Sequence, residues 1–120
     1  MANDTPKVQV VLSTDSGANF GEAIRIDDGN PLGRVDLVYD NDNLIVSWLE
    51  NEGSENGAIR VAKIKQDGII EKKMTITHTS VARSSGFPIL EKLDNQLLMA
   101  WTEIIDEEES TTITSALIDF

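Results

Sequence analysis

Apolar residues in this chain come in short runs rich in Val, Ile, Leu and Thr, each broken by Gly, Asn or Asp. "KVQVVLST", "EAIRID", "RVDLVYD", "NLIVSWLE", "AIRVAKIK", "EKKMTITHT", "FPILEKL", "QLLMAWTEI" and "TTITSALID" read as strands. Between them stand "DSGANFG", "DDGNPLG", "DNDN", "NEGSENG", "QDG" and "SSG", whose Gly, Asn and Asp residues supply turn chemistry. No segment keeps an apolar face at helical spacing over three turns. "DEEES" has the composition of a short helix start but reads more simply as a charged loop. The pattern predicts an all-β chain of many short antiparallel strands.

The strands also repeat. Moving the chain by the distance from Trp48 to Trp101 lays "GRVDLVYDNDNLIVSWLE" on "GFPILEKLDNQLLMAWTE" without a gap. Gly33 then falls on Gly86, Leu37 on Leu90, Leu44 on Leu97 and Glu50 on Glu103. "AIRVAKI" follows on "TITSALI" one residue further along, and "VQVVLSTDSGANFGEAIRI" lies on "IRVAKIKQDGIIEKKMTI" with a two-residue gap at the turn. The unit is a four-stranded meander, A (34–40), B (43–50), C (58–65) and D (71–78), of the size expected of one propeller blade. A C and a D strand precede it within 8–27 (8–13 and 22–27), and A, B and C strands follow within 86–120 (87–93, 96–104 and 111–119). The chain is therefore expected to form one β-propeller segment of about two and a quarter blades.

Composition narrows the partners. The 120 residues carry a formal net charge of −11, which opposes binding to nucleic acid and to anionic membrane surfaces. Solubility is the plainer reading of that charge, with cation binding or an electrostatically selected partner as the specific one. With no cysteine, disulfides, thiolate catalysis and thiolate-rich zinc sites are excluded, and with a single histidine so is any site needing two imidazoles. No metal site and no cofactor is expected. No apolar run is long enough to span a bilayer, and "MANDTPKVQV" lacks the basic cap and apolar block of a signal peptide. The compartment is left open, an exported bacterial parent included.

Between the first C and D strands lies "STDSGANF". Its Ser13, Asp15, Gly17 and Phe20 match the pattern S-x-D-x-G-x-x-[FW]. The chain here resembles the sialidase-like β-propellers, in which this Asp-box, or bacterial neuraminidase repeat, occupies the same C-to-D hairpin. Chemistry suits the position: a carboxylate at Asp15 accepts backbone N–H groups of the turn, Gly17 adopts a positive φ, and Ser13 bonds back to the turn. The ring of Phe20 is expected to tuck under the blade. "KQDGII" resembles a degenerate second box that keeps Asp67 and Gly68 and loses the Ser and the aromatic residue. The resemblance implies that the box is structural and that ligands meet the opposite face, built from the D-to-A loops (27–34 and 78–86) and the B-to-C loops (51–57 and 104–111).

A sialidase-type site needs three arginines for the substrate carboxylate, a tyrosine nucleophile beside a glutamate, and an aspartate as acid/base. Of the four arginines, Arg25 and Arg60 fall mid-strand, so Arg34 and Arg83 are the ligand-binding candidates, the alternative being two loop arginines paired with nearby acids. Tyr39, the only tyrosine, reads as a packing or turn residue at the lower end of strand A, and His78 as a surface or capping residue. Glu50, Glu52 and Glu55 crowd one upper loop, and Glu103, Asp106, Glu107, Glu108 and Glu109 the other. They repel a carboxylated sugar unless Arg34 and Arg83 outweigh them. Paired carboxylates also suit glycoside hydrolysis or Ca²⁺, but "DEEES" lacks calcium-loop spacing and reads as a solvated acidic run. Trp48 and Trp101, each followed two residues on by a glutamate, read as repeated core positions rather than sugar platforms.

The complete catalytic set is absent. The expected function is thus a non-catalytic propeller module that binds glycan or protein. The alternative is a fragment of a sialidase-like glycoside hydrolase whose catalytic residues lie mostly elsewhere. A segment short of a closed ring also leaves sheet edges or faces uncovered. That predicts either self-association or completion by the remainder of a longer propeller, with three copies supplying roughly six blades.

Overall fold

The computed structural model describes residues 6–40, 42–53, 56–80, 88–94, 96–105 and 110–118. Among these there is no helix. Nine strands form three antiparallel sheets. β1 (Gln9–Val10) pairs with β2 (Ile24–Arg25) in the first sheet. β3 (Pro31–Asp40), β4 (Asn43–Gly53), β5 (Asn56–Lys65) and β6 (Ile70–Ser80) form a four-stranded meander in that order. β7 (Ile89–Leu93), β8 (Gln96–Ile105) and β9 (Ser110–Ile118) form the third sheet. The all-β, antiparallel character expected from the residue pattern is what the chain adopts.

Period-two alternation places the side chains of the middle sheet on two faces, and both faces are buried. On one, Val46, Trp48, Ala62 and Ile64 pack with Val8, Val10 and Ile26 of the first sheet and its flanks. On the other, Ile45, Leu49, Ile59 and Val61 pack with Leu90, Leu97, Met99, Trp101 and Ile118 of the third. Three sheets are therefore stacked face to face around two apolar seams. The first strands of the second and third sheets also meet, since Leu90 N–H of β7 donates to Asp36 Oδ2 of β3 at 2.7 Å.

The register of the third sheet repeats that of the second. Leu44 pairs with Ile64 and Trp48 with Arg60; Leu97 pairs with Ile118 and Trp101 with Thr114. Each tryptophan thereby faces the preceding sheet, Trp48 the first and Trp101 the second.

Two local features depart from the expected boundaries. β3 begins three residues earlier than strand A, at Pro31, by way of register shifts between Pro31 and Gly33 and between Gly33 and Asp36. Gly33 (φ 79°) and Arg34 (φ 54°) are both left-handed there, so Arg34 is a strained non-glycine residue inside a bulged strand. The first hairpin forms only a two-residue ladder, although Ile26 N–H to Val8 O (3.0 Å) and Gly21 N–H to Leu12 O (2.9 Å) extend the pairing on either side.

Candidate functional site

The strand directions place loop 27–30, the end of β4 and the start of β5 at one end of the sheets, the upper end, and the Ser13–Phe20 turn, the start of β4 and the β5–β6 turn at the other.

Glu50 organises the upper end. It lies near the end of β4, only 2% exposed, and its carboxylate is surrounded by donors. Trp48 Nε1–H reaches Oε1 at 2.7 Å, Asp28 N–H reaches Oε1 at 3.1 Å, and Asn30 N–H reaches Oε2 at 2.6 Å. Asn51 N–H returns a bond to Asn30 O at 2.8 Å. A buried carboxylate needs such partners, and these fasten loop 27–30 onto the middle sheet. Glu50 is therefore no part of an open acidic rim, as its place in the run "LENEGSE" suggested. Strand alternation turns it inward beside Trp48.

Asp27 holds the same loop from the other side. Its buried carboxylate accepts from Arg25 (Nη2 to Oδ2, 2.8 Å; Nε to Oδ1, 2.9 Å), Val8 N–H (2.8 Å) and Gly29 N–H (3.0 Å). Arg25 above all, with the two backbone donors, holds its pKa far below the ordinary carboxylate value against the opposing effect of burial.

The next residue, Asp28, meets two cations. Arg60 Nη1 lies 2.7 Å from Oδ2 and Lys73 Nζ 2.9 Å from Oδ1. Burial raises the Asp28 pKa, but Lys73 and Arg60 together outweigh it, and the net direction is down. Arg60 also bonds Glu52 Oε2 at 2.6 Å, and His78 Nε2 lies 3.3 Å from Glu52 Oε1. Arg60, read as a mid-strand residue, thus joins an acid of loop 27–30 to one at the end of β4, and His78 is an exposed surface partner of Glu52. Spacing alone did not reveal this cluster. The signal was the placement of Arg60 opposite Trp48 in the antiparallel register.

Of the expected ligand pair, Arg34 alone lies among the described residues. Arg34 sits half-buried in β3 and is engaged in an interaction there. Arg83, Glu55, the side chain of Glu103 and the acidic run 106–109 lie outside the described residues. Tyr39 is exposed at the lower end; its hydroxyl donates to Asp42 Oδ1 at 3.2 Å and accepts from Gln66 Nε2 at 3.0 Å, the bonding of a turn residue.

The lower-end turn at Ser13–Phe20 is built by its own side chains. Ser13 Oγ donates to Asp15 Oδ1 (2.8 Å) and accepts from Asp15 N–H (3.3 Å) and Gly17 N–H (2.8 Å). Asp15 accepts from Asn19 N–H at Oδ1 (2.8 Å) and from Asn19 Nδ2 at Oδ2 (2.9 Å). The Asn19 side chain, then its backbone N–H, then Ser13 lower the Asp15 pKa to about 2. Ser16 (φ 59°) and Gly17 (φ 90°) make the left-handed bend. Asn19 completes the network, a residue that the S-x-D-x-G-x-x-[FW] pattern leaves unspecified.

Phe20 is different from expectation. The residue is not tucked beneath a sheet but is 60% exposed. The ladder of the first sheet covers only Gln9–Val10 and Ile24–Arg25, too little to bury the ring. Instead Phe20 lines a concavity of ≈ 600 Å³ between this turn and the Gln66–Gly68 turn.

Among the described residues no group of three or more His, Cys, Asp or Glu side chains is arranged to hold a metal ion. No family model matches the chain, and no curated protein and no solved structure matches it significantly.

Proposed function

We propose that this chain is a segment of a sialidase-like β-propeller and acts as a non-catalytic module that binds glycan or protein. Support for the architecture comes from the face-to-face stacking of three antiparallel sheets and the repeated β4–β5 and β8–β9 registers. The self-bonded Ser13–Asp15–Gly17 turn at a C-to-D hairpin supports the family. For a non-catalytic role the carrying observation is the engagement of the upper-end acids among the described residues. Asp27, Asp28, Glu50 and Glu52 hold backbone N–H groups, an indole or basic side chains. A general acid/base or a nucleophile needs a group aimed at substrate, whereas these brace the loops on which a binding surface is carried. Within this reading the uncovered sheet faces are closed by self-association or by further propeller sequence.

The test is direct. A fluorogenic sialoside should stay intact with this chain while immobilised glycans or a protein ligand retain it. Sialoside turnover that disappears in Arg34→Ala would instead establish the glycoside-hydrolase alternative.

A further inference from the structure

We propose that the concavity at the lower end, between the Ser13–Phe20 and Gln66–Gly68 turns, binds a neutral oligosaccharide, with Phe20 as its stacking surface. The proposal rests on the glycan-binding arm of the function above and gives it a ligand class and a place, on the face opposite the upper loops.

At ≈ 600 Å³ the space falls within the range of small-molecule sites, about 300–1,000 Å³. It spans two sheets, since one wall is the turn after β1 and the other the turn after β5, where Gly68 lies against Ile24. Its lining joins an exposed aromatic ring to a dense set of polar groups from Thr14, Asp15, Asn19, Gln66 and Asp67. A sugar offers a C–H face for the ring and hydroxyls that both donate and accept.

Charge selects among ligands. The described lining contains Asp15, Glu22 and Asp67 and neither lysine nor arginine, which disfavours a carboxylated or sulfated sugar. A cation is attracted, but an ammonium group only donates, whereas the threonine hydroxyl and the two amides present donors as well as acceptors. The Asp15 carboxylate, moreover, already accepts three hydrogen bonds from Ser13 and Asn19. Preorganisation favours the site too: those bonds hold the residues just before Phe20, and Gln66 is anchored to the Tyr39 hydroxyl.

The experiment is a two-dimensional amide NMR titration of the full chain. The probes are cellopentaose, xylopentaose, maltopentaose and chitotriose, with sialyllactose and spermidine as charged counterparts, each at about 10 mM to reveal a millimolar Kd. At least one neutral oligosaccharide is expected to shift the amides of Asn19, Phe20 and Gln66–Gly68. Phe20→Ala should weaken that binding about tenfold, the loss expected when a buried aromatic contact is removed, and Phe20→Trp should retain it. Because Phe20 contributes little to the core, its variants should keep the parent's denaturation midpoint. Shifts confined to the loops at 27–30 and 51–53 would overturn the site but leave glycan binding standing. Binding at the concavity by sialyllactose or spermidine alone, or an unchanged affinity in Phe20→Ala, would overturn the ligand class or the stacking role. If no saccharide shifts any amide, the site falls together with the glycan arm of the function.

Discussion

Glu50 satisfies a buried indole N–H and two partly buried backbone N–H groups. Its removal leaves all three short of an acceptor, so Glu50→Ala should destabilise the chain by about 3 kcal/mol in urea denaturation, with Glu50→Gln costing less. Ser47 shows the opposite case. Its hydroxyl is buried between the middle and third sheets and finds no partner among the described residues. The repeat-equivalent position is Ala100. Ser47→Ala should therefore stabilise by about 1 kcal/mol, read from the same denaturation midpoint. Asp15 carries a pH dependence. Its folded pKa, about 2, is below its unfolded value, so its contribution is complete above pH about 4 and is lost as the pH falls toward 2. In Asn19→Ala the midpoint of the Asp15 carboxyl resonance should move back up toward the ordinary value of 3.8.

At the scale of elements, turn geometry and cross-strand register carry the structure. Gly68 has φ 88°, and a Cβ placed there would stand 3.2 Å from Ile24 Cδ1. Gly68→Ala strains the β5–β6 turn and presses on the first sheet at once, and a loss of about 1–2 kcal/mol should appear in thermal unfolding. Strand identity and antiparallel order were legible because each apolar run is short and bounded by turn residues. The Ser13–Asp15–Gly17 bonding was legible because it is local, closing within four residues. Partnerships between distant segments were not. Glu50 looked like one more acid of an acidic loop, since neither its inward side nor the backbone donors of Asp28 and Asn30 leave a trace in the spacing. Arg34 was placed in a loop because a double shift of register, which carries β3 back to Pro31, has no sequence mark beyond Gly33. Phe20 was expected under a sheet, but burial depends on what lies opposite, and its own segment does not determine that.

Across the whole molecule, repeat-equivalent residues differ sharply in exposure. Leu90, against the middle sheet, is 4% exposed, whereas Leu37 is 54% exposed. Ile59, covered by the third sheet, is 2% exposed, whereas its equivalent Ile113 on the outer face of that sheet is 78% exposed. Within the proposed propeller reading, these bare positions are where copies meet. Light scattering should then find an oligomer that Ile113→Asp weakens, and a stable folded monomer would sink the idea. The two tryptophans add a consequence of their own. Each is held in a different seam, Trp48 between the first and middle sheets and Trp101 between the middle and third. They are thus separate optical reporters: emission from a Trp101→Phe chain follows only the first seam, and that from a Trp48→Phe chain only the second. If the stack comes apart one layer at a time, as nearest-neighbour arrays can, the two emission curves will not superimpose, and their order will name the weaker joint.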